Sequence, residues 1–298
     1  MLKITREYVT HSLSGLDQPA GYMNSGEQVV LETYDCYQGQ LLEEGSTFAT
    51  LDRSLGNPAT GPVYVNGAEP GDVLKITIEK LELGKVGILD MGANSGALSG
   101  HFHPPVIERV PVSDGYLLYD GKIRVPVKPM IGVIGTAPEG EAVSTMTPMN
   151  HGGNMDCTKV EEGSILYLPV FVKGGLLSAG DFHAIMGDGE VGNCGVEIEG
   201  STTLRVEVLK DFPFLWPMIE NEEQWIAIGY GDTLDEAGDK AVKQIFEFLC
   251  VHEGLTKKDA GMLIDMVGNM VVCQIVNPKK TVRMEVPKWL IASMKPSM

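Results

Sequence analysis

The chain has 298 residues, 43% of them hydrophobic, and a formal net charge of −17 at pH 7. This length and composition are typical of a globular protein with one large or two to three small domains. The negative charge argues against nucleic acid and anionic lipid as partners, because the field of the protein would repel polyphosphate.

Targeting and disulfide signals are missing from the sequence. No apolar run reaches the length of a membrane span, and residues 1–8 lack the basic and apolar regions of a signal peptide. The five cysteines form no CxxC pair, which argues against a secreted disulfide framework and against zinc-finger spacing. We therefore expect a cytoplasmic protein with no membrane partner, which self-associates as a dimer or higher homo-oligomer.

The first part of the chain alternates between short strands and turns. Residues 29–32 are extended and lead to Asp35, a carboxylate that either forms a turn or points into a site. Residues 73–83 alternate apolar and polar side chains, which predicts a half-buried strand. Residues 86–110 are rich in glycine and read as irregular. Prolines within residues 122–134 predict strands at sheet edges or bulges.

A His-x-His pair lies inside the irregular stretch. His101 and His103 would point the same way from an extended backbone and could chelate a metal. The two prolines that follow equally favour a surface loop in which both imidazole rings are solvated. The sequence leaves both interpretations open.

The hydrophobic period changes near residue 233. Thr233 and Glu236 form a capping box, and apolar residues then recur at helical spacing until near Gly254. Thr256 repeats the start signal for a second helix, and two short strands follow at residues 271–276 and 282–286. Segregation of strands from helices predicts an α+β, mostly β protein. We place a boundary near Pro217, between a β-rich region (residues 1–216) that carries a metal site and a small α/β unit (residues 217–298).

The chemistry is concentrated in residues 151–199. His151 and Asp156 flank a glycine turn that lets both side chains converge, and Asp181 and His183 share one face of an extended segment. Further acids follow at Asp188, Glu190 and Glu197. Histidine with carboxylate is the ligand set of zinc and related divalent ions, and a hydrolytic site keeps one position open for water.

Amide hydrolysis needs a nucleophile, a polarised carbonyl and a proton for the leaving amine. A metal can supply the first two, because it acidifies bound water and acts as a Lewis acid. Glu190 or Glu197 could then serve as general acid and base. Asn154 or the backbone N–H groups of Gly152 and Gly153 could stabilise the oxyanion.

Each candidate residue also has a purely structural interpretation. Asp188 could form an Asx turn within its Gly-Asp-Gly sequence. His151 could hydrogen-bond a carbonyl within a plain loop, and His183 could be a satisfied core histidine.

Other functions are compatible with the same residues. Cys157 beside His151 could act as a thiolate nucleophile in a cysteine-dependent amidase. A non-catalytic β-sandwich module could instead hold a structural Ca²⁺ through the oxygen ligands of Asp181, Asp188 and Glu190. A different amide or amidine-type substrate on the same site is a third possibility.

The central motifs resemble the signature of the acetamidase/formamidase family. They are HGGNMD at residues 151–156, LPV at 168–170, SAGDFHA at 178–184 and GDGE at 187–190, with Glu197. The likeness extends to PGDV at 70–73, TLDEA at 233–237 and VPK at 286–288, so it covers nearly the whole chain. Residues 84–105 depart from the family pattern, which leaves the preferred amide open.

The resemblance implies hydrolysis of short-chain linear amides, such as formamide or acetamide, to carboxylate and ammonia. It also implies a mostly β fold of jelly-roll and barrel character with a small C-terminal α/β part, and metal-associated oligomers. We expect the divalent metal to be Zn²⁺, with Ca²⁺ as a second or structural ion. The expected metal ligands are Asp35, His151, Asp156, Asp181 and His183, and the expected catalytic residues are Glu190, Glu197, Asn154 and Asp188.

Overall fold

The computed structural model of the protein describes residues 1–92 and 96–294. Over these residues the chain forms twenty-two strands, three α-helices and one 3-10 helix at Arg53–Leu55. The strands are β1 (Leu2–Ile4), β2 (Val9–Thr10), β3 (Ser12–Leu13), β4 (Gly21–Asn24), β5 (Gln28–Thr33), β6 (Ala59–Asn66), β7 (Val73–Leu83), β8 (Val86–Met91), β9 (Val106–Ser113), β10 (Tyr116–Tyr119), β11 (Ile123–Pro126), β12 (Met130–Gly135), β13 (Val143–Ser144), β14 (Gly152–Asn154), β15 (Ile165–Pro169), β16 (Leu177–His183), β17 (Glu197–Ile198), β18 (Gly200–Leu209), β19 (Met218–Glu220), β20 (Gln224–Gly231), β21 (Asn269–Gln274) and β22 (Lys280–Pro287). The helices are α1 (Leu234–Val251), α2 (Lys257–Val267) and α3 (Lys288–Met294).

Two large sheets dominate the part of the chain that the structure describes. The first has the strand order β1-β5-β18-β7-β15-β19-β20-β22-β21. The second runs β11-β10-β9-β8-β17-β16-β12-β14, and β6 joins it beside β16 together with β2 and β4. Strands β3 and β13 form a small separate pair. The fold is thus α+β and mostly β, which confirms the prediction.

The main hydrophobic cluster draws buried side chains from both large sheets. Ile76 of β7 and Val29 of β5 come from the first sheet, and Ile131 of β12 and Phe182 of β16 come from the second. The side chains of β7 alternate as the sequence predicted, with Leu74, Ile76 and Ile78 fully buried. Burial of apolar area between the sheets fixes the strands that carry the polar site.

Two sequence expectations were wrong for the middle of the chain. Residues 86–110 are not irregular throughout, because β8 and β9 occupy their ends and pair antiparallel, while residues 93–95 lie outside the described residues. Strand β12 lies inside the sheet between β14 and β16, whereas β11 lies at the edge as predicted. Pro129 precedes β12 and therefore removes no hydrogen bond from its ladder.

The helices follow their capping signals. The Thr233 hydroxyl accepts a hydrogen bond from the Glu236 backbone N–H at 3.2 Å, and the Glu236 carboxylate accepts one from Asp232 N at 2.8 Å. Thr256 caps α2 in the same way, accepting from Asp259 N at 3.1 Å. Helix α3 was not predicted.

The C-terminal elements have a hydrophobic cluster of their own but share the first sheet. Helix α1 packs Ile245 and Phe248 against Trp225 of β20 and Val286 of β22. Strand β19 pairs with β15, so the ladder of the first sheet continues across Pro217. Among the described residues, no helix combines the length and the hydropathy that a membrane span needs.

Candidate active site

The end of β16 carries the imidazole around which the site is built. His183 is fully buried and is paired in register with Glu197 of β17. Its Nε2 atom lies 3.0 Å from Glu197 Oε1 and 3.6 Å from Asp181 Oδ1. Neither ring nitrogen has a hydrogen-bond partner among the residues that the structure describes. The three side chains instead converge on a common point.

Two more acids complete the site. Asp156 and Glu190 bring a carboxylate oxygen each to within 4.8 Å of a His183 ring nitrogen and of one another. Cys36, Asp181 and Glu197 form a second group with the same mutual spacing. Folding therefore gathers residues between positions 156 and 197 into one buried cluster, which we call the acid cluster: Asp156, Asp181, His183, Glu190 and Glu197.

The backbone is left-handed at three of these acids. The φ angles are 44° at Asp156, 58° at Asp181 and 45° at Glu190. A non-glycine residue in this region costs on the order of 1–3 kcal/mol and persists only where the surrounding structure imposes it. Such strain concentrates at functional sites, where it aims a side chain that regular structure would point elsewhere.

Two glycines leave room for the cluster. A Cβ atom on Gly132 of β12 would lie 2.4 Å from Asp156 Oδ1 and 2.6 Å from Asp181 Oδ2. A Cβ atom on Gly195 would lie 2.7 Å from His183 Nδ1. Both contacts are closer than real Cβ atoms make, so the carboxylates and the imidazole occupy space that only glycine leaves free.

The electrostatics of the cluster favour protonation or a bound cation. Burial and, after it, the neighbouring Asp181 carboxylate raise the pKa of Asp156 to about 7. Burial and nearby acids likewise raise the pKa values of Glu190 and Glu197 well above the ordinary value. Burial alone would lower the pKa of His183, but the Glu197 and Asp181 carboxylates raise it. No lysine or arginine of the described residues hydrogen-bonds to these acids.

The ligand atoms of the acid cluster suit a divalent cation. Four polar atoms in the cluster are buried without any hydrogen-bond partner among the described residues: His183 Nδ1, His183 Nε2, Glu190 Oε2 and Glu197 Oε2. Buried polar atoms are normally paired, and buried like charges are tolerated only with a compensating charge. One imidazole and several carboxylates are the ligands that Zn²⁺ and related ions accept.

Amide side chains surround the acids. The Asn154 amide lies 3.0 Å from Asp181 Oδ2 and 3.1 Å from Asp156 Oδ2, and its nitrogen donates to both when it faces the acids, as the network requires. The Asn57 amide lies 3.0 Å from the Asn154 amide. Asn277 Nδ2 donates to Asp156 Oδ2 at 2.5 Å and to the Asn154 backbone carbonyl at 3.2 Å.

Asn277 reaches the site from the C-terminal end of the chain. It lies in the turn between β21 and β22. We call these two strands and the turn between them the C-terminal hairpin. Gln274 braces this turn, since its Oε1 accepts from Asn277 N at 2.9 Å and its Nε2 donates to Lys279 O at 2.7 Å. The hairpin also holds the segment that carries Glu190, because Gly189 N donates to Cys273 O at 3.0 Å.

Asp188 lies beside the cluster and is bound by an arginine. Arg283 of β22 donates to both carboxylate oxygens, at 2.7 and 2.9 Å, and Thr158 Oγ1 donates to Oδ1 at 2.7 Å. The Arg283 contacts lower the pKa of Asp188 against the opposing effect of partial burial. This carboxylate therefore anchors the Glu190 segment to the C-terminal hairpin.

Two predicted ligands lie outside both ligand groups. Asp35 is buried, and its Oδ1 accepts from the backbone N–H groups of Tyr37 at 2.9 Å and Gly39 at 2.8 Å, as a turn former does. His151 is also buried, and its Nε2 has no hydrogen-bond partner among the described residues. Burial lowers the pKa of His151 to about 4, so its ring is neutral at pH 7.

The other sequence candidates lie elsewhere. His101 and His103 are exposed. Cys157 is fully buried with the Cys273 thiol as its neighbour, and it is not among the described residues that line the cavity over the cluster.

Sequence reasoning missed four residues of the site. Asn57 and Asn277 sit in turns, where asparagine is common for local reasons and carries no functional signal. Cys36 follows a strand as one of five unpaired cysteines. Gly132 lies within a glycine-containing apolar strand, and only its neighbours in space reveal its importance.

Comparisons with known proteins found similar sequences and similar folds. A sequence model of the acetamidase/formamidase family matches residues 18–144 and 139–287. The crystal structure of an acetamidase from Bacillus halodurans is 38% identical, with a TM-score of 0.96 over 99% of this chain and 100% of that one. A predicted acetamidase/formamidase from Thermoanaerobacter tengcongensis is also 38% identical, with a TM-score of 0.95 over 98% and 97% of the two chains.

A formamidase from Methylophilus methylotrophus is 27% identical, in a match that covers 62% of this chain and 60% of that protein. The chain thus spans about three fifths of the length of the curated relatives it matches.

Proposed function

The chain belongs to the acetamidase/formamidase family, and from this premise we propose that it hydrolyses linear amides to carboxylate and ammonia. The observation that carries the proposal is the acid cluster, in which buried carboxylates and one imidazole leave four polar atoms unpaired beside an open cavity. Perturbed acids that face a cavity are the arrangement expected of a hydrolytic site.

His183, Asp156 and Glu190 would hold a divalent cation, since their ligand atoms converge within 4.8 Å. The mixture of nitrogen and oxygen ligands in this group favours Zn²⁺ over Ca²⁺, which takes oxygen ligands alone. A bound cation would acidify a water molecule and polarise the amide carbonyl.

Glu197 is the proposed proton carrier. Its Oε2 is buried without a hydrogen-bond partner among the described residues, and burial raises the pKa of its carboxyl. Such a carboxyl can take a proton from water and return it to the departing nitrogen at neutral pH. Asn154 donates toward the acids and keeps their oxygens directed at the reacting group.

The test is ammonia release from formamide and acetamide, measured together with the metal content of the purified protein. We expect the wild-type chain to release ammonia, and His183→Ala to lose at least 100-fold in kcat/KM and most of its metal. The matched control is His101→Ala, which replaces an exposed histidine. Full turnover by His183→Ala would end the assignment, and a metal that supports stability but no turnover of any amide would favour the Ca²⁺-binding module.

A further inference from the structure

The cavity over the acid cluster is far larger than acetamide. Its volume is about 580 Å³, whereas an apolar cavity of about 150 Å³ already binds benzene. Acetamide has four non-hydrogen atoms and is smaller than benzene. A short-chain amide bound at the acids would leave most of the cavity to water.

Polar side chains of the site and apolar side chains both line the cavity. We call the polar lining residues of the site the floor: Asn154, Asp181, Glu190, Glu197 and Asn277. We call the apolar lining residues the walls: Tyr37, Phe48, Leu51, Pro105 and Met146. The rings of Tyr37 and Phe48 meet edge to face, with centroids 6.1 Å apart and an interplanar angle of 77°. This arrangement leaves apolar surface facing the cavity, where a third ring can pack.

Residues 36–57, which we call the wall loop, hold one side of this cavity in place. Asn57 N donates to Cys36 O at 2.7 Å and so closes the loop at its ends. Gln40 ties the middle together, because its Nε2 donates to Tyr37 O at 2.9 Å and its Oε1 accepts from Asp52 N at 2.8 Å. A loop braced in this way keeps the cavity open before a ligand arrives.

A hydrogen bond of the Tyr37 hydroxyl holds the Tyr37 ring in place. Its hydroxyl donates to Asp90, which is buried and also accepts from Asn193 Nδ2 at 2.8 Å. A preformed apolar wall lowers the entropic cost of binding, because its side chains need not be ordered by the ligand.

From these observations we infer that the preferred substrates are primary amides whose acyl group carries a ring-sized apolar substituent, such as phenylacetamide. The inference rests on the proposed amide hydrolysis and specifies its substrate class. The carboxamide lies at the acids, and the ring packs between Tyr37, Phe48 and Leu51. An anionic acyl group is disfavoured, because three acids and a single cation, Arg53, are among the lining residues and the chain has a net charge of −17.

The reaction is the same hydrolysis. The oxygen of a water molecule bonds to the acyl carbon, the carbon–nitrogen bond breaks, and both protons of that water end on the departing nitrogen. The products are the arylalkyl carboxylate and ammonium. The walls contribute binding energy and no reacting group. This binding energy raises kcat/KM as long as the ring stays packed in the transition state.

The experiment compares kcat/KM for phenylacetamide and acetamide by ammonia release. We expect phenylacetamide to be preferred at least tenfold, because one methylene in an apolar pocket already changes kcat/KM by roughly 10- to 200-fold. Leu51→Trp, which fills the cavity, should lower this preference at least tenfold. Met146→Trp, at another apolar residue that lines the cavity, provides a second test should Leu51→Trp fail to fold. The matched control is Val251→Trp, at a position 60% exposed in the last turn of α1.

The outcomes separate the two proposals. Hydrolysis of acetamide with an equal or lower kcat/KM for phenylacetamide overturns the inferred substrate class and leaves the proposed function intact. A preference for phenylacetamide that neither filling variant reduces also overturns it, because the ring would then bind elsewhere. Release of ammonia from neither amide overturns the proposed function, and the inferred substrate class with it.

Discussion

At the scale of single residues, the site combines buried charge with backbone strain. Asp156, Asp181 and Glu190 all adopt positive φ, and glutamate has no local hydrogen bond that compensates for this conformation. The strain aims the carboxylates at His183 rather than stabilising the fold. Activity and stability therefore make opposite demands on these positions.

This opposition predicts the behaviour of Glu190→Gly. Glycine adopts a φ of 45° without strain and removes a buried carboxyl. We expect the free energy of unfolding of the metal-free variant to equal that of the metal-free wild type or to exceed it by up to about 1 kcal/mol. Amide turnover should be lost. Urea unfolding and ammonia release measure the two effects. A large loss of stability would show that Glu190 supports the fold rather than the chemistry.

His151 predicts a pH dependence of stability. Burial lowers its pKa to about 4 from the ordinary value of 6.5. Between these two pH values the unfolded chain binds a proton at this imidazole and the folded chain does not. The contribution of His151 to the free energy of unfolding is fully present above pH 6.5 and falls as the pH drops toward 4, by up to about 3 kcal/mol.

The measurement is the slope of unfolding free energy against pH between 6.5 and 4. His151→Gln should flatten this slope relative to wild type, whatever it does to stability at pH 7. His101→Gln, at an exposed histidine, is the control and should leave the slope unchanged. An unchanged slope in His151→Gln would contradict the neutral buried imidazole.

The sequence predicted which acids lie together with His183 but not their surroundings. The acids and His183 could be recognised because their residue types, close spacing and glycine-rich context indicate metal and hydrolytic chemistry. Their roles could not be assigned, since nothing in the sequence shows that Arg283 binds Asp188 or that Asp35 accepts from its own turn. Such facts depend on which residues meet in space.

At the scale of elements, the C-terminal hairpin completes a site that lies mostly in the β-rich part of the chain. Its turn inserts Asn277 beside Asp156, and its strands hold Asp188 and Gly189. Residues that orient metal ligands typically change metal affinity or activity by roughly 10- to 100-fold when removed.

Asn277→Ala should therefore fold normally but lose about 10- to 100-fold in kcat/KM and in affinity for the divalent ion. The control is Lys279→Ala in the same turn, which removes an ion pair with the exposed Asp232. Metal titration and ammonia release provide the readouts, and circular dichroism checks the fold. Unchanged metal affinity in Asn277→Ala would show that the hairpin merely covers the site.

Elements with strong local signals were predictable from the sequence, and elements defined by their partners were not. The capping residues Thr233 and Thr256 located α1 and α2, and clean alternation located β7. Strands β8 and β9 were missed because the glycines and prolines between them dominate the local pattern, although each strand pairs with the other. Strand β12 was misplaced at an edge for the same reason.

At the scale of the whole molecule, the two sheets hold the acids at a common point while the first sheet continues into the C-terminal elements. The acid cluster unites residues from position 156 to position 197, and Asn277 joins it from a further eighty residues along the chain. The homo-oligomer expected from the sequence stays a prediction.

The central claim is that these buried acids and His183 hold a divalent cation on which amide hydrolysis depends. The direct measurement is ammonia release from acetamide before chelation, after complete removal of divalent ions, and after Zn²⁺ is returned. The account predicts that turnover disappears on removal and recovers as about one Zn²⁺ binds per chain, with added Ca²⁺ alone failing to restore it. Full turnover by a chain from which elemental analysis shows all divalent ions have been removed would contradict it.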